Sequence, residues 1–294
     1  MSGINTREPL AINCFGTTLP LPLPDNYLYN GKCEDMLNHC IETNLKFDLI
    51  FTSPPYNLGK QYGNYNDKNS LDQYLIWQTE VISLCEKVIK STGSICWQVG
   101  NSMRDGHIEP LDIYLVPIFN KLGFILRNRI IWHYGHGLHC KHRFSGRYET
   151  ILWFTKSETY KFNIDPIRIP SKYPGKRHFK GPKKGELSGN PNGKNPEDVW
   201  FIPNIKHNHI EKTKHPCQFP VALVQRMLLA TTNIGDTIFD PFAGACTTMA
   251  TAAQFQRRAY GSEINPYYCE IGKNRIQQGA MGNLSYRDHL LPIL

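Results

Sequence analysis

Long apolar runs are absent from this sequence. No uninterrupted apolar stretch reaches the roughly 18 residues that a membrane helix needs. The first residues, MSGINTR, also lack the basic and apolar regions of a signal peptide. The 294 residues include 40% hydrophobic and 12% aromatic side chains, enough to bury a substantial core. We therefore expect a cytoplasmic globular protein that does not associate with a membrane.

Paired cysteines and phosphate-binding glycine patterns are absent as well. The nine cysteines are widely spaced and form no CxxC pair. Most have apolar neighbours, which favours reduced, buried thiols over disulfides. The sequence also contains neither GxxxxGK(S/T) nor GxGxxG, so binding of a nucleotide through its phosphates is disfavoured.

Positive charge is concentrated in one segment. The net charge is +8, and residues 168–214 contain eleven Lys or Arg against four Asp or Glu, while the rest of the chain is nearly neutral. A basic segment of this kind favours a polyanionic partner such as duplex DNA, because phosphate contacts dominate the affinity of such complexes. From charge alone, a solvated lysine-rich loop is the alternative.

The hydrophobic pattern divides the chain into three regions. Residues 1–165 and 215–294 alternate short apolar runs with amphipathic stretches, which predicts an α/β sheet with helices on its faces. Strands are predicted at 47–51, 93–99, 129–133, 150–154, 237–239 and 258–262. Helices are predicted at 71–89, 111–122, 220–231 and 247–255. The intervening residues 166–214 are rich in Gly, Pro, Lys and Asn, and are too long for an ordinary connection, which favours a functional insert. One sheet built from both ends of the chain would explain this arrangement.

The stretch TIFDPFAGACTT (237–248) predicts a strand, a tight turn of small residues and a helix. The hydroxyl of Thr247 or Thr248 is a candidate helix cap. Small residues in such a turn let a ligand approach the backbone amides closely. Glu263 follows the next predicted strand, where its carboxylate could accept hydrogen bonds from two ribose hydroxyls. Together these features predict a site for an adenosine-bearing cofactor, against the alternative of tight packing and a surface glutamate.

The stretch FTSPPYNLG (51–59) ends an apolar run with two prolines. If the cofactor is S-adenosylmethionine, the methyl acceptor needs a freed lone pair, as does the exocyclic amine of cytosine or adenine. The Ser53 hydroxyl and the Pro54 carbonyl could each accept one amine hydrogen. The two prolines, Pro54 and Pro55, would hold these acceptors rigid. Tyr56 offers a face on which a base swung out of the helix could stack. A rigid turn that ends a strand is the plain alternative.

Five motifs together resemble one family. They are TSPPYN (52–57), GSICWQVGN (93–101), RYETILWFTK (147–156), HPCQFP (215–220) and FDPFAGACTT (239–248). Over most of residues 28–275 the chain resembles the beta-class amino-methyltransferases of DNA, in which the catalytic motif precedes the cofactor motif. The resemblance implies a Rossmann-like methyltransferase sheet with helices on both faces and a circularly permuted motif order. It also implies S-adenosylmethionine as cofactor, duplex DNA as substrate, and a small irregular target-recognition insert at 166–214 between two parts of the catalytic domain, 1–165 and 215–294.

The resemblance assigns roles to individual residues. The implied catalytic residues are Ser53, Pro54, Pro55 and Tyr56. The implied cofactor-binding residues are Asp35, Thr52, His215, Pro216, Phe219, Asp240, Pro241, Phe242, Ala243, Gly244, Thr247, Glu263 and Asn265. The expected DNA-binding residues are Lys60, Arg143, Arg147, Lys172, Lys176, Arg177, Lys180, Lys183 and Lys184.

The chain departs from the family pattern in two places. Cys246 stands where the family usually has a second glycine, so this loop must accommodate a side chain. Upstream of the catalytic strand, GKCED (31–35) replaces the usual Gly-Asp, and we take Asp35 as the acid that meets the adenine ring.

The run HYGHGLHCKH (133–142) holds four histidines and a cysteine, which could ligate zinc. The spacings are irregular, however, and no second ligand pair is evident elsewhere. We therefore favour a loop beside the catalytic cleft that contacts DNA or the target base, and we predict no metal site.

These observations predict a site-specific DNA methyltransferase in a restriction-modification system, with a companion restriction endonuclease as a further partner. The methyl group would pass directly to an exocyclic amine. Methylation of cytosine C5 through a thiolate is disfavoured, because the Pro216-Cys217 dipeptide belongs to the cofactor-proximal motif. In the family, Ser-Pro-Pro-Tyr tends to accompany cytosine N4 and Asp-Pro-Pro-Tyr adenine N6. We therefore predict cytosine N4, with adenine N6 as the alternative. A non-catalytic DNA-binding module and an RNA methyltransferase are further alternatives.

Overall fold

The computed structural model describes residues 15–57, 61–62, 65–66, 69–104, 106–137 and 139–288. Lys60, expected to contact DNA, lies outside these residues. The strands are β1 (Phe15–Gly16), β2 (Leu28–Asn30), β3 (Phe47–Thr52), β4 (Gln61–Tyr62), β5 (Tyr65–Asn66), β6 (Ile89–Val99), β7 (Asn101–Arg104), β8 (His107–Pro110), β9 (Ile125–His133), β10 (Tyr148–Thr155), β11 (Val199–Phe201), β12 (Thr237–Asp240) and β13 (Arg258–Glu263). The helices are α1 (Cys33–Glu42), α2 (Leu71–Val88), α3 (Leu111–Lys121), α4 (Val221–Thr231), α5 (Thr247–Gln254) and α6 (Pro266–Ala280).

Nine strands form one mixed sheet in the order β1-β2-β13-β12-β3-β6-β10-β9-β11. Its neighbouring strands are parallel except at β10, which is antiparallel to both β6 and β9. The late strands β12 and β13 lie between β2 and β3, so both ends of the chain build the same sheet, as expected. Because β10 runs against its neighbours, its amino end lies at the same edge as the carboxyl ends of the parallel strands.

Successive residues of the central strands point to opposite faces of the sheet, and each face has its own core. In β12, Ile238 packs into the core that contains α4, α5 and α6, whereas Phe239 packs into the core that contains α1, α2 and α3. In β13, Ala259 and Tyr260 divide in the same way. Strands covered on both faces need apolar residues at successive positions, and all six residues of β3 are buried. The predicted α/β sheet with helices on both faces is confirmed.

The helix α2 begins where its sequence specifies. The Ser70 hydroxyl accepts a hydrogen bond from the Gln73 backbone N–H, and the Gln73 side chain accepts one from the Ser70 backbone N–H. This capping box satisfies two N–H groups that the first turn would otherwise leave without partners. The predicted start at residue 71 is thereby confirmed.

Part of the predicted insert belongs to the main sheet, which its composition did not indicate. Residues 168–198, all described, form turns with two isolated bridges, Ile169 to Lys194 and Arg177 to Leu187. The short strand β11, however, pairs in parallel with β9 and extends the main sheet at one edge. The boundaries 166 and 214 therefore stay predictions.

Two expectations concern the chain as a whole. No helix among the described residues is long and apolar enough to cross a membrane, and the cytoplasmic location stays a prediction. The eight cysteines within the described ranges are all free, and six of them are buried.

Candidate active site

A cavity of about 670 Å³ lies at the edge of the sheet where the parallel strands end. It is lined by the residues that follow β3 and β12, by the last residue of β13, and by Gln98 near the end of β6. Glu149 also lines it, because the antiparallel β10 begins at this edge. The carboxyl edge is where open α/β sheets bind ligands. The predicted cofactor motif and the predicted catalytic motif therefore share one cavity.

The Glu263 carboxylate is held in place by two backbone amides. The Gly244 N–H donates to Oε2 at 2.9 Å, and the Asn265 N–H donates to Oε1 at 2.8 Å. Burial raises the pKa of Glu263 to about 7, although these two hydrogen bonds act in the opposite direction. The group is therefore poised between its neutral and charged forms near pH 7, and a ligand that donates hydrogen bonds favours the charged form.

Gly244 lets His215 approach the loop that joins β12 to α5. Its φ is +53°, and a Cβ placed there would come within 3.0 Å of the His215 ring nitrogen Nε2. The His215 ring in turn packs edge-on against Tyr268, with centroids 4.5 Å apart. Pro216 and Phe219, predicted from the same motif, also line the cavity.

Asp240, Thr52 and Asn265 were predicted to bind the cofactor, but they are not among the residues that line the cavity. Asp240 is fully buried, and its Oδ1 accepts hydrogen bonds from the Thr52 hydroxyl at 2.6 Å and from the Phe242 backbone N–H at 3.1 Å. Burial raises the pKa of Asp240 to about 6. Asn265 caps α6 by accepting from the Tyr267 N–H. These three side chains fix the loops that line the cavity.

The structure places Asp35 differently from the prediction. Its side chain is exposed and does not line the cavity, whereas the preceding Glu34 does. Glu34 Oε1 accepts a hydrogen bond from Trp77 Nε1 at 2.8 Å. The Trp77 ring meets Phe242 edge-on, with centroids 5.4 Å apart, so Glu34 belongs to an aromatic wall of the cavity. Because α1 begins at Cys33, the acid facing inward is the one at position 34.

The amino end of α5 also differs from expectation, since neither Thr247 nor Thr248 caps it. Thr248 donates to the Phe51 carbonyl, and Thr247 accepts from the buried Arg275. The cap position is Cys246, whose φ of +56° is left-handed. This conformation explains why a glycine is usual at this position, because a side chain strains it.

Four side chains form a hydrogen-bonded series along the cavity wall that holds the predicted catalytic motif. Ser53 Oγ lies 2.8 Å from the Tyr56 hydroxyl, which donates to Glu149 Oε2 at 3.0 Å. The same carboxylate oxygen accepts from Gln98 Nε2 at 2.7 Å. Pro54 is buried and, like Pro55, lines the cavity. Burial, followed by the nearby Glu149 charge, raises the pKa of Tyr56 well above its usual value, so the phenol keeps its proton.

The predicted DNA-binding residues that the structure describes do not line the cavity. Six of them lie in the insert, and all six are exposed: Lys172, Lys176, Arg177, Lys180, Lys183 and Lys184. Arg143 is exposed and Arg147 partly buried in the loop that joins β9 to β10. Two members of this loop, His136 and Gly137, line the cavity, which supports the expected position of the histidine-rich run beside the cleft. No cluster of three potential metal ligands occurs among the described residues.

Among the cavity-lining residues that sequence reasoning missed, four have side chains that take part in the hydrogen bonds and ring contacts described above: Glu34, Trp77, Gln98 and Glu149. Gln98 and Glu149 each had a local signal. Both are polar residues of recognised motifs, at the end of one predicted strand and next to the start of another. Their meeting, however, depends on the direction of β10.

Comparison with known proteins identifies the family. The profile of a DNA methylase family of N6 and N4 methyltransferases matches residues 47–274. The chain belongs to this family. It is 50% identical to the type II methyltransferase M.BglII of Bacillus subtilis over 248 residues, which cover 84% of this chain and 67% of the relative. It is 32% identical over 259 residues to the DNA adenine methyltransferase YhdJ of Escherichia coli (strain K12), covering 83% and 85% of the two chains.

A solved structure of another protein has a similar fold. The PvuII DNA methyltransferase, described as cytosine-N4-specific, superposes with a TM-score of 0.66 over 94% of this chain and 96% of its own, at 19% identity. The predicted class, a beta-class amino-methyltransferase of DNA with S-adenosylmethionine as cofactor, is confirmed. The choice between N4 of cytosine and N6 of adenine is not made by family membership.

Proposed function

We propose that the chain transfers a methyl group from S-adenosylmethionine to the exocyclic N4 of cytosine at a specific site in duplex DNA. The main support is that Ser53 and Pro54 line the same cavity as Gly244 and Glu263. Hydrogen-bond acceptors for an amine thus share one space with groups suited to an adenosine. The serine, in place of a carboxylate, favours cytosine.

The residues at the cofactor end fit an adenosine-bearing ligand. The Glu263 carboxylate, fixed by two backbone amides, is suited to accept hydrogen bonds from the two ribose hydroxyls. Trp77 and Phe242 supply an apolar surface for the adenine ring, and the adjacent Glu34 takes the place first assigned to Asp35. His215, packed against Gly244, helps to enclose the methionine end. S-adenosylmethionine, when bound, supplies an electrophilic methyl group.

Ser53 and Pro54 would make the target amine a better nucleophile. The lone pair of an exocyclic amine is delocalised into the base ring, so the amine is a poor nucleophile. If Ser53 Oγ and the Pro54 carbonyl each accept one amine hydrogen, the nitrogen is drawn toward tetrahedral geometry and its lone pair is directed at the methyl carbon. The Tyr56 ring lines the same cavity and offers a stacking face for the flipped base.

The exposed basic residues of the insert would hold the DNA backbone. Phosphate contacts position a protein on the duplex, whereas contacts to base edges choose the sequence. The loop joining β9 to β10 contains Arg143 and Arg147 and lines the cavity through His136 and Gly137, so it would contact the DNA next to the flipped base. A companion endonuclease that cuts the same site is part of this proposal, because M.BglII is a type II methyltransferase.

Adenine N6 is the second candidate, favoured by the 32% identity to the adenine methyltransferase YhdJ. One experiment separates the two. The protein is incubated with duplex DNA and S-adenosylmethionine labelled in its methyl group, and the DNA is digested to nucleosides for mass spectrometry. Labelled N4-methylcytosine is the expected product. Labelled N6-methyladenine would replace the first candidate by the second, and acceptance of label by RNA alone would refute both.

A non-catalytic DNA-binding module is tested in the same preparation. Such a module has no need of S-adenosylmethionine, so calorimetric titration with this cofactor should show no binding. Saturable binding at a 1:1 ratio is the expected result for the enzyme.

A further inference from the structure

Glu149 is a carboxylate of the cavity wall to which neither the sequence motifs nor the family comparison assigns a role. It stands 96 positions after Ser53, yet the direction of β10 brings it to the same wall. Its Oε2 accepts hydrogen bonds from Tyr56 and from Gln98, and Tyr56 in turn reaches Ser53. The carboxylate is therefore two hydrogen bonds away from the hydroxyl that faces the target amine.

The direction of these hydrogen bonds follows from the number of hydrogens. A tyrosine hydroxyl has one hydrogen, and that of Tyr56 is donated to the Glu149 carboxylate, which can only accept. The Tyr56 oxygen can then only accept from Ser53. The Ser53 hydroxyl hydrogen is thereby directed at Tyr56, and its lone pairs remain available for the amine hydrogen of a base.

The backbone leaves room for this contact at one residue. A Cβ placed on Gly100 would lie 3.1 Å from Tyr56 Cε2 and 3.4 Å from Glu149 Cγ. The glycine thus lets the ring and the carboxylate side chain pack against the end of β6. Gln98, almost fully buried, donates a second hydrogen bond to the carboxylate oxygen that accepts from Tyr56. The orientation of Glu149 is fixed by packing as well as by hydrogen bonds.

We propose that Glu149 acts through Tyr56 to keep the Ser53 hydroxyl as a hydrogen-bond acceptor toward the target amine and to receive the proton that the methylated amine releases. In this sense Glu149 is a positioning residue, and the inference rests on the proposed function. It explains how a neutral serine can serve where a carboxylate is the stronger acceptor, because the negative charge is supplied from two hydrogen bonds away.

The proton transfer balances. As the amine nitrogen bonds to the methyl carbon, the carbon–sulfur bond of the sulfonium donor breaks and its electron pair stays on sulfur. The nitrogen then has one proton more than the neutral product. That proton passes to Ser53 Oγ, the Ser53 hydroxyl proton passes to the Tyr56 oxygen, and the Tyr56 proton passes to the Glu149 carboxylate. Ser53 and Tyr56 end neutral, and Glu149 ends protonated.

Two substitutions distinguish the role of Glu149 from that of Tyr56 in this series of hydrogen bonds. Glu149→Gln keeps an oxygen that can accept from Tyr56 but removes the proton acceptor. Tyr56→Phe keeps the aromatic ring and removes the connection altogether. The matched controls are Glu80→Gln and Tyr114→Phe, on the outer surfaces of α2 and α3 and outside the cavity lining.

The measurement is the single-turnover rate of methyl transfer to duplex DNA across pH 5.5–9, which isolates chemistry from product release. We expect the rate to fall at least about 100-fold in Tyr56→Phe and about 10- to 100-fold in Glu149→Gln, in the range of general acid-base catalysis. The affinities for S-adenosylmethionine and DNA should stay within about threefold of wild type, which shows that each variant is folded. The double variant should be no slower than Tyr56→Phe alone, since both changes interrupt one chain.

The pH profile provides a readout that a structural role would not change. With S-adenosylmethionine saturating at every pH, so that the ionisation of Glu263 does not limit the rate, the wild-type rate should decline at acidic pH, and this decline should be absent from Glu149→Gln. Wild-type rates and an unchanged acidic limb in both variants would overturn the inference while leaving the proposed function intact. Absence of methyl transfer by the wild-type protein would overturn both.

Discussion

The Cys246 thiol occupies the space that a side chain at Gly272 would need. A Cβ placed on Gly272 would clash with Cys246 Sγ and come within 3.3 Å of Leu28 Cδ2. Helix α6 can therefore pack against the start of α5 because its residue 272 has no side chain. Cys246, which departs from the family pattern just before α5, is therefore accommodated by the absence of a side chain at Gly272 in α6.

Gly272→Ala should destabilise the protein by about 1–3 kcal/mol, the usual cost of overpacking a core, as measured by urea denaturation. Adding Cys246→Gly to this variant should restore most of the lost free energy of unfolding. The second substitution removes the thiol that the new methyl group would meet, and it places a glycine at a position with a left-handed backbone conformation. A coupling energy of at least about 1 kcal/mol is expected from the double-mutant cycle. The control is Gly189→Ala, where an added Cβ would meet nothing. Independent, additive effects would refute the contact.

Ser53→Ala should lower the single-turnover rate of methylation at least about 100-fold, because the amine loses one of its two acceptors. S-adenosylmethionine should bind as before, since Ser53 is absent from the hydrogen bonds that hold Glu263. Ser145→Ala, in the loop between β9 and β10, tests whether loss of any hydroxyl near the cleft has this effect. Full activity of Ser53→Ala would contradict the catalytic role.

Binding of S-adenosylmethionine should weaken as the pH falls through about 7. The pKa of Glu263 is raised to about 7 by burial, and only its charged form has full capacity to accept from two ribose hydroxyls. Protonation competes with binding below this pH, by up to about tenfold in Kd per pH unit, and the affinity should level off above pH 8. Calorimetry between pH 5.5 and 8.5 measures the effect.

The comparison with Glu263→Gln isolates that residue from the ionisation of the cofactor itself. The variant should bind more weakly at pH 8, and its residual pH dependence should be that of the ligand alone. Glu270→Gln, exposed on α6, should behave as wild type. An identical pH dependence in wild type and Glu263→Gln would be inconsistent with the assignment.

Cys217→Ser should retain methylation within about fivefold of wild type. Cys217 lines the cavity, so its position alone would allow a thiolate mechanism on carbon 5 of cytosine. Direct transfer to the amine requires no covalent intermediate and hence no nucleophile at this position. Nucleoside analysis should show the same product with both proteins, whereas loss of activity together with 5-methylcytosine in the wild-type product would indicate a thiolate enzyme.

Replacing Lys180, Lys183 and Lys184 by alanine should weaken DNA binding and reduce its salt dependence. Each lost phosphate contact lowers the slope of log K against log salt concentration by about 0.9, so the triple variant should lose up to about 3 in slope. Fluorescence anisotropy between 50 and 300 mM salt measures this slope. The control substitutes Lys87 and Lys121, exposed residues outside the insert. An unchanged slope would mean that these lysines do not contact phosphates.

Much of the sheet follows from local pattern. The apolar runs at 47–51 and 237–239 differ from β3 and β12 by one residue each. Helix α1 was missed, although Cys33, Met36, Leu37 and Cys40 show its buried 3–4 spacing. The hairpin of β7 and β8 was missed because its residues are largely polar and partly exposed, with no apolar alternation to mark them.

The site was less predictable than the sheet, for a physical reason. The motif around Ser53 consists of consecutive residues, and its residue types are enough to predict hydrogen-bond acceptors and a stacking face. The approach of Glu149 to Tyr56 instead depends on β10 running antiparallel between β6 and β9, which no local pattern specifies. Whether Glu34 or Asp35 lines the cavity depends on where α1 begins, since a shift of one residue turns a side chain by about 100° around a helix axis.

The position of β12 and β13 within the sheet determines how two fragments of this protein would behave. These strands come from the last third of the chain, yet they fill the gap between β2 and β3. A fragment that ends in the exposed turns of residues 181–193 would leave β2 and β3 with open edges, and its complement would lack neighbours on both sides. Neither half should methylate DNA alone. Mixed together, they should reassemble through these strands, which makes the basic insert a natural break point for a split, inducible enzyme.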